Sequence, residues 1–516
     1  MNVNLANKLV DHLSQQGVAE WIVCAGSRNA PLVKILSKIS NIKVHYFFEE
    51  RSAAYFAIGR IHKRGAPTAV VTTSGTAVAN LLPAVIEAHY QELPLVLVTA
   101  DRPTSYRNTG APQAIDQMNI FSGYSEQTID WDVESEICWS QEKPLHVNIC
   151  FDEPLIDNEI HVRSVEIGNV RATSKSKIDQ YPNLEKFKKP LVIGSCMSRS
   201  QAEELAPLLG NSLLPLYLEC GSNLKQLIKG SHVLNGGEFA LQHYVNRGWV
   251  DSIVRIGGVP TTRLWRDLEY SSLPVLSLST TRFSGLARES QVTPLRSLSK
   301  DSLAKIFLDL KFDGLDQFLE QDHLLTELLK KSLKHFSHSE IGLLQKFFNK
   351  LGDDDQLFIG NSLPIREMDL LDWQQRNSQV SIYTQRGVNG IDGLVSTALG
   401  LADSQRKTWA LIGDLTFMYD LAGLWALKIN PDLNFNLVVV NNGGGKIFSR
   451  IFADPLFENR HGLTFESIAK FWGLNYLLVR SGEDFENLDT QNTLIEIWPD
   501  GKESQSLWNQ IKTITA

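Results

Sequence analysis

The sequence predicts an α/β protein of three consecutive parallel-sheet domains, and three observations carry that expectation. Short apolar runs alternate with helical patterns along most of the chain. The first of those runs end in small or polar residues, as strands do where they leave a buried sheet. The length, 516 residues, suits about three domains of ordinary size.

In the first third, EWIVCAG (20–26), TAVVTTSG (68–75), LPLVLVTA (93–100) and PLHVNICF (144–151) read as buried strands. RSAAYFAIGRIHKR and GTAVANLLPAVIEAHYQ read as helices between them, the rhythm of a parallel sheet covered on both faces. Residues 166–190 are polar and suit a linker. A second α/β unit follows, with strands at PLVIGSC (190–196) and DSIVRIGG (251–258) and a further candidate at LPVLSLS (273–279). A charged helical stretch at 315–350 leads into the last third, where QLFIGNS, SIYTQRG, TWALIGD, FNLVVVNN and finally TLIEIW are strand candidates. No fixed-period repeat is visible, although the first and last thirds share a strand-helix rhythm.

Composition excludes several classes. The chain is 43% hydrophobic and 21% charged, with a net charge of −8 and no dense Lys/Arg run, which argues against a nucleic-acid or anionic-lipid surface. Five scattered cysteines without a CxxC pair predict free thiols in a reducing cytosol and no zinc site. Asp11 and His12 interrupt any apolar leader, and no run reaches the length of a membrane span, so the expectation is a soluble cytoplasmic protein.

The segment VVVNNGGGKIFSR (438–450) nearly spells a phosphate loop, but Ile447 follows Gly445-Lys446 where a Walker loop needs Ser or Thr, and Val440 stands where it needs Gly. A better account lies 27 residues upstream of Asn441, where WALIGD ends a strand at Gly413-Asp414. Consecutive strands of a right-handed βαβ unit end on the same sheet edge, so Asp414 and Asn441 emerge side by side where ligands bind. A carboxylate, an amide oxygen and the Gly443 carbonyl make part of an octahedron of hard oxygens, which suits magnesium holding a diphosphate. Taken singly, Asp414 reads as a helix cap and Asn442-Gly443 as a turn. Together, at two strand ends, they favour the metal-diphosphate reading.

With GD followed by NN at this spacing, the chain resembles the thiamine diphosphate enzymes. Leu415 replaces the glycine common after GD and leaves the metal ligands Asp414, Asn441 and Gly443 intact. The resemblance implies thiamine diphosphate with magnesium, or manganese in its place. It implies cofactor contacts at Ser362, Gly413, Asp414, Leu415, Asn441, Gly443, Gly444 and Ile447, and a bulky residue, Ile391, bending the cofactor. It also implies a glutamate that promotes the imino tautomer of the aminopyrimidine. HYFFEERSAAYFAIG supplies an aromatic strand ending at Glu49-Glu50, with a helix expected after Arg51; Glu50 is the choice, against the alternative of an acidic first turn favoured by the helix dipole. The domains become 1–180 (pyrimidine-binding), 185–330 (central) and 340–516 (diphosphate- and metal-binding), and the catalytic unit a homodimer or dimer of dimers.

Arg28, Arg102, Arg366 and Arg386 fall at or just beyond strand ends. Arginine there clamps carboxylates in two-pronged fashion, so four beside such a cofactor suggest substrates with several carboxylates. GSRxxPL, TSGTAVANLLPAVIEA, TADRP, GNS, RGxxGIDG and NNGGGKIFS closely resemble the menaquinone-synthesis branch of these enzymes, strongly over 20–117 and 355–465 and faintly between. That branch implies a transferase that decarboxylates 2-oxoglutarate and adds the succinyl carbanion to isochorismate. The substrate contacts it implies are Ser27, Arg28, Arg102, Gln113, Arg263, Arg366, Arg386, Phe448 and Ile451, with Ile447, Phe448 and Ile451 as an apolar wall. Thr262 stands where the branch has Lys, and Pro112 where Asn is common. The competing readings are an acetolactate synthase-like carboligase, whose substrates carry fewer carboxylates, and an inactive scaffold, which would need loss of Glu50, Asp414 or Asn441.

Overall fold

The computed structural model describes residues 1–516 apart from 133, 171–180, 374–378, 453, 487, 489–490 and 515–516; part of the expected linker, 171–180, thus lies outside the described residues. Three sheets form, and every strand pair in them is parallel.

The first sheet holds β1 (Glu20–Cys24), β2 (Lys43–Phe47), β3 (Thr68–Thr72), β4 (Leu95–Asp101), β5 (Gln127–Trp131) and β6 (Leu145–Cys150), in the order β2-β1-β3-β4-β6-β5. The second holds β7 (Pro190–Gly194), β8 (Leu216–Leu218), β9 (Ser252–Gly257), β10 (Val275–Ser279) and β11 (Gln291–Pro294), in the order β11-β10-β9-β7-β8. The third holds β12 (Gln356–Ile359), β13 (Ser381–Thr384), β14 (Thr408–Gly413), β15 (Phe435–Val440), β16 (Asn475–Val479) and β17 (Thr493–Ile497), in the order β13-β12-β14-β15-β17-β16. The first and third sheets therefore share one topology, which the common rhythm of the two thirds hinted at. Central strands such as β1, β3, β9 and β15 are buried along their whole length, because parallel sheets are covered on both faces and select continuous apolar runs.

In each sheet the strand order reverses beside the first strand, leaving a crevice at the carboxyl ends. The crevices lie between β1 and β3, between β7 and β9, and between β12 and β14. The first collects residues after Cys24 and Thr72; the third collects those after Ile359 and Gly413. Of the expected site residues, Ser27 and Arg28 follow the first pair of ends and Ser362, Arg366, Asp414 and Leu415 the pair at the third crevice, while Asn441, Gly443 and Gly444 follow the neighbouring β15.

By compactness the chain divides into two units. One comprises 1–174, 387–404 and 416–433; the other comprises 175–386, 405–415 and 434–516. The first unit contains the first sheet, and the second contains the other two. Among the described residues, no helix is long and apolar enough to cross a membrane.

Among the histidines that the first unit buries are His45 (4% exposed) and His146 (0%). Burial disfavours their charged forms and brings His45 down to about 4 and His146 to about 3. Below about pH 6.5 the unfolded chain binds protons that the folded chain refuses, so their contribution is present above that pH and is lost as pH falls towards these values. Asp420, raised to about 6 by burial, works in the opposite sense and offsets part of the loss. His146→Gln is expected to flatten the fall of Tm between pH 6.5 and 5 by roughly one proton's worth of slope. Parallel wild-type and variant curves would refute this.

Candidate active site

In the second unit, β14 delivers Gly413 to the sheet edge, and Asp414 opens the short helix Asp414–Tyr419. Gly413 pairs with Val440 across the ladder, so Asp414 and Asn441 leave neighbouring strands side by side, as expected. Asp414 is 3% exposed. Its Oδ1 accepts the Leu415 N–H at 2.6 Å, and its Oδ2 accepts those of Gly443 and Gly444, both at 2.9 Å. Burial raises this carboxyl above its ordinary value, and the peptide N–H groups oppose the rise. His461 Nε2 lies 3.1 Å from Asp414 Oδ2, within ion-pair reach. Gly444, at φ +136°, could not be replaced without strain: a Cβ there would stand 2.5 Å from the Glu458 carbonyl oxygen. The glycine run thus lays the loop against 458–461, with the Gly443 carbonyl accepting from the His461 N–H at 3.2 Å.

The two asparagines differ in a way the sequence does not reveal. Asn441 Nδ2 donates to Glu496 Oε1 at 2.6 Å and to the Leu463 carbonyl at 2.8 Å, and its Oδ1 accepts the Gly443 N–H at 3.3 Å. Its Nδ2 is thereby committed to the fold. Asn442 Nδ2 donates to the Glu340 carboxylate at 3.0 Å, while its Oδ1 is buried with no hydrogen-bond partner among the described residues. A buried acceptor left unmatched is costly, and a cation or a ligand donor would satisfy it. Among the described residues, no three His, Cys, Asp or Glu side chains converge as a metal cluster. A cation at this edge would therefore use one carboxylate with amide and carbonyl oxygens, a donor set that fits magnesium. The expectation placed the amide ligand on Asn441, whose Oδ1 takes one 3.3 Å bond and keeps a second lone pair; the Asn442 Oδ1 is a second candidate, with both lone pairs unmatched. One signal was available. Glu496 interrupts the apolar run of β17, and a buried acid in such a strand needs partners; Asn441, Phe465 N and Tyr476 OH supply them.

A cavity of about 470 Å³ adjoins this loop, lined in part by Glu340, Asn442, Lys446, Arg450 and Trp508. Behind it, Glu340 and Glu367 are both buried, and both carboxyls are raised, burial being the first cause and their mutual proximity adding to the rise at Glu367. Arg450 partners Glu367 at 3.3 Å and lies over the Trp508 ring. Sequence reasoning missed this cluster, since Glu340 reads as an ordinary first-turn acid after the Ser339 cap.

Also in the second unit, Ser362 adopts φ +74°, rare for a residue with a side chain, and its carbonyl accepts from Arg366 Nη1 at 2.6 Å. Arg386 Nη1 donates to Asn361 Oδ1 at 2.8 Å. Ser362, Arg366 and Arg386 thus gather at the ends of β12 and β13. Arg263 begins the helix Arg263–Asp267, with its side chain 69% exposed and 3.4 Å from Asp267. Thr262, in the place of the expected lysine, is buried, and its N–H donates to Glu219 Oε1 at 3.0 Å. Ile447 is half-buried, while Phe448 and Ile451 are exposed.

In the first unit, the helix runs Glu50–Arg64 and so begins before the expected point after Arg51. Glu49 is its cap: its carboxylate accepts the N–H of Arg51 at 3.1 Å and that of Ser52 at 2.8 Å. Glu49 is thus the cap and Glu50 the acid of the first turn, the position that the helix-dipole alternative described. Glu50 is half-buried, and its side chain makes no hydrogen bond or ion pair among the described residues. Burial pushes up the Cys24 thiol at the end of β1, and the negative charge of Glu50 and then of Glu49 adds to the rise, which puts Glu50 near the β1/β3 crevice. Ser27 is exposed there. Arg28 Nη1 donates to the Phe151 carbonyl at 3.0 Å. Arg102 Nε donates to the Pro112 carbonyl at 2.9 Å, and Gln113 follows at φ +56°. Ile391 is half-buried on the loop that precedes the helix Leu394–Leu401.

Comparison with known proteins adds to this geometry. Residues 3–120 match the family described as thiamine pyrophosphate enzyme, N-terminal TPP binding domain. A 2-succinyl-5-enolpyruvyl-6-hydroxy-3-cyclohexene-1-carboxylate synthase of Bdellovibrio bacteriovorus is 38% identical over 99% of this chain and 98% of its own. Proteins of the same name from Akkermansia muciniphila (35%, 95% of each chain) and Staphylococcus epidermidis (31%, 91% of this chain and 89% of its own) are also similar. A solved chain from Mycobacterium smegmatis, provisionally described as a thiamin diphosphate-dependent enzyme, superposes with a TM-score of 0.67 at 15% identity. The match covers 96% of this chain and 99% of that one, a likeness of fold alone.

Proposed function

Because the chain belongs to the family of 2-succinyl-5-enolpyruvyl-6-hydroxy-3-cyclohexene-1-carboxylate synthases of the thiamine diphosphate enzymes, we propose that it decarboxylates 2-oxoglutarate and joins the remaining succinyl unit to isochorismate in menaquinone biosynthesis. The single observation that carries the cofactor reading is the buried, unpartnered Asn442 oxygen on the loop that also binds the Asp414 carboxylate. Asp414, Asn442 and loop carbonyls of the glycine run would hold magnesium or manganese and, through it, the diphosphate. Bound thiamine diphosphate supplies the electron sink for loss of carbon dioxide.

The chain's own residues do the rest. Glu50 would hold a proton at the aminopyrimidine. The backbone N–H groups of the glycine loop fix the Asp414 carboxylate, so the metal ligand is pre-oriented. Ser27, Arg28, Arg102, Gln113, Arg263, Arg366 and Arg386 would bind and orient the carboxylates of the two substrates. Ile391 would support the bent cofactor, and Ile447, Phe448 and Ile451 would keep water from the reacting carbon. The segments 1–180, 185–330 and 340–516 would serve as pyrimidine-binding, central and diphosphate-binding domains, in a homodimer or dimer of dimers. Five free thiols suit a cytoplasmic location.

The test measures carbon dioxide release from 2-oxoglutarate with and without isochorismate. Release should require thiamine diphosphate and a divalent cation, and should be coupled to isochorismate consumption. Turnover of pyruvate with no response to isochorismate would overturn the reading. Arg386→Lys should raise KM by about tenfold or more, because a lysine ammonium keeps the charge but loses the two-pronged fork. An unchanged KM for both substrates would remove Arg386 from the site.

A further inference from the structure

Glu87 lies in the helix Leu82–Gln91 and is 1% exposed. Its Oε1 accepts the Gly387 N–H at 2.6 Å, and its Oε2 accepts the Val388 N–H at 2.9 Å. A buried carboxylate that spends both oxygens on two successive peptide N–H groups fixes the position and direction of that backbone, and such charge-assisted bonds are the strong ones. Four residues on, Asp392 Oδ2 accepts the Tyr55 hydroxyl at 2.5 Å. Tyr55 is 1% exposed and sits on the helix Glu50–Arg64, five residues after Glu50. The ring comes so close that only glycine fits next: a Cβ on Gly393, at φ +68°, would meet Tyr55 Cδ2 at 1.9 Å. Beyond the loop, the helix Leu394–Leu401 packs along the Glu50–Arg64 helix, and Thr397 Oγ1 donates to the Tyr55 carbonyl at 3.2 Å.

The loop 387–392 is therefore held at both ends, with Val388 43% exposed and Ile391 half-buried between the anchors. Both anchors are buried and act on backbone or on Asp392. We infer that Glu87 and Tyr55 are positioning residues for Ile391: they fix the loop from two helices so that this side chain is preset to support the cofactor rings. The inference rests on the proposed role of Ile391. The Glu50–Arg64 helix then has two functions, carrying the acid at its start and holding the Ile391 loop one and a half turns later.

The test is thiamine diphosphate binding at saturating Mg²⁺, followed by tryptophan quenching, in Glu87→Ala, Tyr55→Phe, Ile391→Ala and each of the first two combined with the third. Glu87→Ala and Tyr55→Phe should each weaken cofactor affinity, by roughly tenfold to a hundredfold for the charged clamp and less for the hydroxyl. In the Ile391→Ala background, each should have little further effect, since their influence passes through that side chain. A residue that merely supports the fold would multiply with Ile391→Ala, and that result overturns the inference. So does unchanged affinity in both single variants while Ile391→Ala weakens binding. If Ile391→Ala itself binds normally, the reading of Ile391 falls and the inference with it, a separate outcome. Tyr55→Phe keeps the ring and decides the matter should Glu87→Ala not fold.

Discussion

Glu50→Gln is expected to lower kcat by about two to four orders of magnitude, the usual worth of a positioned general acid or base, while thiamine diphosphate still binds. The neighbouring acid provides the contrast. Glu49 caps the helix through the N–H groups of Arg51 and Ser52, so Glu49→Ala should cost about 1 kcal/mol of stability and leave kcat within a few-fold. Glu50 stands in the first turn without a capping bond, and its charge adds to the rise of the Cys24 thiol at the end of β1. The decisive measurements are steady-state carbon dioxide release, cofactor binding by fluorescence, and a thermal melt on both variants. If Glu50→Gln turned over normally and Glu49→Ala were dead yet folded, the assignment would have to move by one residue.

Legibility in the sequence followed burial. Central strands were readable because both faces are covered, and the sequence there is a continuous apolar run. The four strands not anticipated, β5, β8, β11 and β16, are all sheet edges. β5 mixes Gln127 and Asp130 among apolar residues, β8 is three residues long, and β11 ends in Pro294. Edge strands are short and partly polar, so periodicity alone does not find them. The site divides in the same way. Asp414 was legible because a Gly-Asp pair ended a buried strand. The boundary between Glu49 and Glu50 was not, since either acid suits a helix start and only the cap geometry separates them. The buried acids Glu87, Glu340 and Glu367 were invisible because their partners are backbone or side chains distant in the chain, and helix periodicity says nothing of them.

The asparagine pair yields the second large effect. Loss of an outer partner of a bound metal costs roughly 10–100-fold in affinity, and loss of a ligand costs more. Asn442→Ala should therefore weaken Mg²⁺-dependent cofactor binding by at least about a hundredfold, as should Asp414→Ala. In the cofactor-free Asn442 variant, removal of an unmatched buried acceptor offsets part of the loss of the Glu340 donor, so its Tm should fall only slightly. Asn441→Ala should show the larger loss of stability. It strips Glu496 of a 2.6 Å donor in the core between β15 and β17, which costs about 1–3 kcal/mol and lowers the cofactor-free Tm. Its effect on metal affinity should be the smaller, outer-partner one. Magnesium titrations of cofactor binding, set beside melts of the cofactor-free proteins, separate the two roles. Intact magnesium affinity in Asn442→Ala, with collapse in an Asn441→Ala protein of unchanged Tm, would return the ligand to Asn441.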